Sequence, residues 1–212
     1  MGGAEVLNAT LAVQMRRLGA HPTVVFVGRS APLAERLDAD GTPHQALGLG
    51  PDRGVLRARR LYAEAVAGAG ADGALLMERG LLALGLRAGG YRAPIVAVEH
   101  GSLLVDRGRG RGLNTLVRGA GRVAGSRAVD AEVAVSQFML DAMRGHAHAS
   151  VLRRIYNGLD PDVYDGRATA VPVDPGATPT VGFAGRLVAG KGADHLIRSL
   201  ASDRLRAPLR LG

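Results

Sequence analysis

Short, almost continuously apolar runs alternate along this chain with stretches whose apolar residues recur every three or four positions. Runs of that kind suit strands covered by helices on both faces, and their alternation is the pattern of repeated βα units around a parallel sheet. The expected strands are Thr23 to Val27, His44 to Leu47, Gly73 to Met77, Pro94 to Glu99, Ala131 to Val135, Val151 to Tyr156, Thr180 to Ala184 and a short Leu209 to Leu211. A first helix from Ala4 to Leu18 sets Leu7, Leu11, Met15 and Leu18 on one face. Others are expected over Ala31 to Ala39, Val55 to Ala67, Leu81 to Ala88, Leu113 to Ala124, Ser136 to Arg144 and Gly192 to Ala201. Ser136 is placed to cap its helix through its side-chain oxygen, and Ala193, Leu196, Ile197 and Leu200 align on one face of the last helix. The fold class is α/β, a parallel sheet with helices on both faces.

The alternation breaks between Asp160 and Pro179, where Asp-Pro-Asp, Asp-Gly and Pro172, Pro175 and Pro179 leave no sustained period. Such a texture is that of a linker. Beyond it stand one strand, one helix and a strand fragment, too little apolar surface to fold alone. The chain of 212 residues thus divides into a domain over 1–160, a linker over 161–178 and a truncated second domain over 179–212. A glycine turn that opens a helix is normally fed by a strand, and only Met1 stands before Gly2-Gly3, so the first domain is expected to lack its first strand.

Charge and composition narrow the function classes. The net charge of +8 invites a nucleic-acid reading, but Lys191 is the lone lysine among the 27 basic residues, and three Phe, four Tyr and no Trp are too few for base-stacking platforms. Nucleic acid is therefore not an expected partner. The excess is local: between Arg107 and Arg154 nine arginines stand against Asp130, Glu132 and Asp141, so one basic face is an expectation. The absence of cysteine removes disulfide scaffolds, zinc ribbons and thiol nucleophiles. No apolar run reaches the ~20 residues that span a bilayer, and no basic-then-apolar leader follows Met1, so a cytoplasmic location is expected.

Two segments carry chemistry. Gly2-Gly3 ahead of a helix offers free backbone N–H groups and the positive end of a helix dipole to an anion, with no Cβ in the way. The segment Val181-Gly-Phe-Ala-Gly185-Arg186-Leu187-Val-Ala-Gly-Lys191-Gly192 is a strand, a tight turn and two cations five residues apart ahead of a helix. That arrangement suits a diphosphate, because arginine grips oxygens in a fork and lysine supplies a point charge.

Five motifs in order, Gly-Gly-Ala-Glu at 2–5, Val-Glu-His-Gly at 98–101, Val-Ala-Val-Ser-Gln at 133–137, Tyr-Asn-Gly-Leu-Asp at 156–160 and Gly-Arg-Leu with Lys-Gly at 185–192, give the whole chain a pattern that resembles the family 4 glycosyltransferases of the GT-B fold. The resemblance implies two Rossmann-like domains with the active site between them. It implies transfer of a sugar from a nucleotide-diphosphate donor to an acceptor hydroxyl, with retention of configuration, without a metal and with no cofactor beyond the donor substrate. This chain would then hold an N-terminal acceptor domain and the first βα unit of the donor domain. Gly2 and Gly3 match the family's glycine loop near donor and acceptor, Arg186 and Lys191 match the pair on the donor diphosphate, and His100 matches the histidine that contacts the donor sugar. Ser136, Asn157 and Gly158 match motifs as well, as a cap and a turn first and as cleft residues second. The family's paired donor-domain glutamates would fall beyond Gly212, so weak or absent activity is expected of this chain alone. The implied partners are a nucleotide-sugar donor and a saccharide or lipid-linked acceptor, with peripheral contact to an anionic inner-membrane face.

Two other function classes compete. One is a non-catalytic module that holds an anion or a membrane surface by its basic strip; the other is a different GT-B-fold enzyme such as a nucleotide-sugar epimerase. A dinucleotide dehydrogenase is disfavoured, because no Gly-x-Gly-x-x-Gly follows a strand with an acidic residue ~20 positions on. Other polar residues read as surface: His146 and His148 point apart on a helix, Arg60 and Glu64 form an exposed i,i+4 pair, and Asp106 to Gly112 forms a solvated loop. Glu99 either modulates the charge of His100 or pairs with a nearby arginine.

Overall fold

The computed structural model describes residues 3–28, 31–48, 55–77, 81–101, 123–145, 148, 150–160, 176, 178, 180–185, 187, 191–201 and 210–211. The chain divides into two compact units, Met1–Val163 and Tyr164–Gly212. Both are mixed α/β with parallel strand pairing.

In the first unit the order is α1 (Gly3–Arg17), β1 (Val24–Phe26), α2 (Ala31–Asp40), β2 (His44–Ala46), α3 (Val55–Gly68), β3 (Ala74–Leu76), α4 (Leu81–Ala88) and β4 (Ile95–Glu99). Residues 123–128 are helical, and β5 (Ala131–Ala134), α5 (Gln137–Arg144) and β6 (Val151–Arg154) complete it. The helix expected over Leu113 to Ala124 lies mostly outside the described residues. The described helical turn runs on to residue 128 because Ala128 is buried in the main core. Elsewhere each expected helix and strand appears, the strands trimmed by one to three residues where the ladder ends.

The strands form two parallel ladders. One is β1–β2, with Val24 opposite His44 and Phe26 opposite Ala46. The other is β3–β4–β5–β6, with Leu76 opposite Ala97, Glu99 opposite Ala134 and Ala134 opposite Arg154. Among the described residues no ladder joins β1 to β3. The two nevertheless share a core: Val25, Val27 and Leu47 pack against the cluster of Tyr62, Val66, Leu76, Ala83, Leu86, Ile95, Ala97, Ala128 and Val129. A second cluster of Ala9, Val13, Leu33 and Leu37 binds α1 and α2 to β1, and a third, of Ala134, Met139 and Met143, seats α5 on β5.

Two devices fix the sheet's N-terminal edge. Arg87, in the last turn of α4, donates to the carbonyls of Tyr91, Ala93 and Ala128 at 2.9–3.0 Å and to Asp130 Oδ2 at 2.6 Å, and that oxygen also accepts the Ile95 N–H at 2.7 Å. One guanidinium thereby satisfies loop carbonyls that have no ladder partner. Gly89 lets α3 approach α4, since a Cβ there would lie 3.1 Å from that of Ala63.

The second unit contains β7 (Thr180–Val181), α6 (Ala193–Leu200) and β8 (Arg210–Leu211), with β7 and β8 parallel. Gly192 caps α6 at φ +82°, a left-handed conformation that favours glycine. None of the residues of α6 is buried, and Ile197 is 55% exposed.

Candidate functional site

In a parallel sheet all strands end on one edge, and ligands bind outside those carboxyl ends. The register defines that edge here: Glu99, Ala134 and Arg154 lie side by side on β4, β5 and β6. The next positions are His100, Val135 and Ile155, and the Ile155 N–H donates to Ala134 O at 3.0 Å, which carries the β5–β6 ladder one step further. Beyond these come Gly101, Ser136 and Tyr156. The fold therefore brings His100, Ser136 and Asn157-Gly158 to one edge of one sheet from three separate stretches of chain.

His100 is half-buried, and its Nε2 is shut off from solvent with no hydrogen-bond partner among the described residues. Burial pushes its pKa below the ordinary histidine value, while the neighbouring Glu99 carboxylate pushes in the opposite sense. The ring is therefore neutral at pH 7, and an orphaned buried nitrogen costs about 1–3 kcal/mol unless a ligand supplies its partner. Gly101 follows at φ +117°, turning the backbone away directly after the histidine. Glu99 is itself 1% exposed and has interactions of its own.

Ser136 adopts an extended backbone, and its Oγ accepts the Met139 N–H at 3.1 Å, the cap expected at the start of α5. Asn157 and Gly158 are exposed, and a Cβ on Gly158 would meet open space. What holds that segment lies just after it. Asp160 is 9% exposed, and its Oδ2 accepts a 2.7 Å hydrogen bond from Arg36 of α2. This latch joins positions 124 residues apart, and no local signal in the sequence marks it. No local signal marks the contacts around Arg154 either: its Nη1 donates to Gln137 Oε1, and its guanidinium carbon lies 5.0 Å from the centroid of the Tyr156 ring.

Gly3 opens α1 with nothing within 4 Å of a Cβ built there. Gly2 lies outside the described residues. Because α1 joins β1 by a short turn and Val6 and Val13 pack with Val24 and Phe26, the helix runs back along the strand and its N-terminus lies toward the carboxyl end of β1. In the second unit Lys191 is exposed immediately before Gly192, where α6 begins. Arg186 lies outside the described residues, as does His146. The exposed Arg60–Glu64 pair expected on α3 is present at 2.7 Å.

A family model described as Glycosyltransferase Family 4 matches residues 1–163. No curated protein matches the chain. Among solved structures, a glycosyltransferase from Rickettsia africae ESF-5 is similar in fold, with a TM-score of 0.61 at 18% sequence identity over 93% of this chain and 53% of that one. The chain thus spans about half the length of that structure. Among the described residues no helix is long and apolar enough to cross a membrane.

Proposed function

Given that this chain belongs to glycosyltransferase family 4, we propose that it forms the acceptor-side half, and the beginning of the donor-side half, of an enzyme that moves a sugar from a nucleotide-diphosphate donor to an acceptor hydroxyl with retention and without a metal ion. The observation that carries this reading is His100: a neutral imidazole at the carboxyl end of β4 whose buried Nε2 has no hydrogen-bond partner among the described residues. A donor-sugar hydroxyl satisfies that nitrogen, and the bond orients the sugar at the sheet edge. Gly3, at the start of α1, and Gly2, its neighbour in sequence, supply backbone N–H groups to the phosphates. Arg186 and Lys191 neutralise the charge that grows on the leaving diphosphate as the sugar–phosphate bond breaks, the task a divalent cation would otherwise perform. Ser136, Asn157 and Gly158 form the acceptor-side wall.

The test begins with binding, which half an enzyme can still show. The chain is titrated with UDP, GDP and their sugar conjugates and followed by amide NMR shifts. The expected result is weak binding that drops about tenfold or more in Lys191→Ala, and a preference for the sugar conjugate over the bare diphosphate that disappears in His100→Ala. Nucleotide binding that is indifferent to Lys191 overturns the diphosphate assignment. A sugar preference that survives His100→Ala overturns the role of the histidine.

A further inference from the structure

The basic strip noted in the sequence has one member whose arrangement suits recognition better than solubility. Six described arginines, Arg16, Arg36, Arg60, Arg87, Arg144 and Arg198, each pair with a carboxylate. Arg154 does not: among the described residues its partners are an amide oxygen, Gln137 Oε1, and the face of Tyr156 at 5.0 Å. Both contacts fix the direction of the guanidinium, and neither cancels its charge. The cation–π contact draws the guanidinium to the ring with a strength of about 0.5–1 kcal/mol at an exposed site. The unpaired fork is thus held on a rigid strand end in place of swinging on a long side chain, which lowers the entropic cost of gripping an anion. Tyr156 is 62% exposed, so the unit as a whole faces solvent.

Its location matters equally. Arg154 is the last residue of β6, level in register with Ala134 and Glu99, and so lies on the same sheet edge as His100, two strands away. Arg154 stands in register with Ala134 and Glu99, one position short of His100, so its side chain starts from the face on which Ala134 meets α5, and the backbones of β4 and β6 run roughly 10 Å apart.

We propose that Arg154, oriented by Gln137 and Tyr156, is the acceptor-recognition cation of this protein and takes an acceptor that carries a phosphate or carboxylate group. The proposal rests on the glycosyltransferase reading for the word acceptor, and on the sheet-edge geometry alone for the anion. The guanidinium grips two oxygens of the anionic group in a fork, and the exposed aromatic edge supports the ring that bears it.

The experiment titrates the chain with glucose, glucose 6-phosphate, glucuronate and inorganic phosphate, following the Arg154 Nε–H and Tyr156 ring signals by NMR, and separately measures co-sedimentation with vesicles of phosphatidylcholine with and without phosphatidylglycerol. Expected is binding of the two anionic sugars at least about tenfold tighter than glucose, with inorganic phosphate in between. Arg154→Ala abolishes the preference, Arg154→Lys keeps part of it, and Gln137→Ala weakens it. Arg92→Ala, which removes an exposed arginine just ahead of β4, leaves it unchanged. Circular dichroism of each variant verifies folding, and Tyr156→Leu supplies a second probe should Arg154→Ala misfold. Equal binding of glucose and glucose 6-phosphate overturns the proposal. So does equal loss in Arg92→Ala, which makes the effect one of diffuse charge, or binding to phosphatidylglycerol vesicles without binding to the soluble sugars, which assigns the cation to a membrane surface. Because no donor nucleotide is present, the result stands apart from the transferase reading: an intact anionic-sugar preference alongside failed nucleotide binding retains the cation and discards the enzyme, and the reverse discards the cation alone.

Discussion

Ser136 gives the smallest change with a defined cause. Removing its Oγ in Ser136→Ala leaves the Met139 N–H without its cap, and a loss of about 1 kcal/mol is expected, read as a lower urea midpoint with unchanged slope. Tyr62 predicts a pH effect. Burial first, and Tyr91 second, push its phenol up to about 12. Between the ordinary value near 10 and that figure, the folded chain holds a proton that the unfolded chain has released, so stability falls as pH rises through this window. Tyr62→Phe should flatten that slope in alkaline denaturation curves. His100 acts at the other end of the scale. Its folded pKa lies below the ordinary 6.5, so from about pH 6.5 downward the unfolded state takes up protons first and stability falls with falling pH; His100→Asn should remove that component. Histidine at a strand end and serine ahead of a helix were legible from the sequence, since each depends on neighbours within a few positions. The Arg36–Asp160 bond was not, because only the packed fold brings α2 to the segment after β6.

Helices were legible where periodicity was strong. The helices from Gly3, Ala31, Val55 and Leu81 start within a residue of their expected positions, because an apolar stripe at helical spacing has one way to be buried. Strands came out shorter, β1 at Val24–Phe26 against an expected Thr23 to Val27. An apolar run states what can be covered, whereas a ladder ends where its neighbour ends. The clip at Arg87 was also hidden, since its four hydrogen bonds reach the loop after α4, the end of the 123–128 helical turn and Asp130, which no pattern links. Arg87→Ala strands three carbonyls and Asp130, and should cost about 2–3 kcal/mol in denaturant unfolding. Arg87→Lys, with one ammonium for a fork, recovers only part. The latch on Asp160 predicts a local effect: Asp160→Asn should raise amide exchange across Ile155–Leu159 far more than across α3, while a uniform rise would mean that the bond supports the whole unit and not one segment.

For the molecule as a whole, family membership was legible because it rests on several short motifs in order, each tolerating substitutions around it. The way the strands partition was not. The sequence implies one sheet for the first unit, and the described strands form two ladders on a common core. Val25, Val27 and Leu47 of the first ladder pack against the core that β3 and β4 also cover. β1 and β3 each keep one edge whose backbone N–H and C=O groups have no ladder partner among the described residues, the state in which sheets recruit strands from other chains. The expected outcome is fast amide exchange at Val25 and Leu75 in dilute solution and an apparent size that rises with concentration in sedimentation; exchange there as slow as in β4 would mean that both edges are covered.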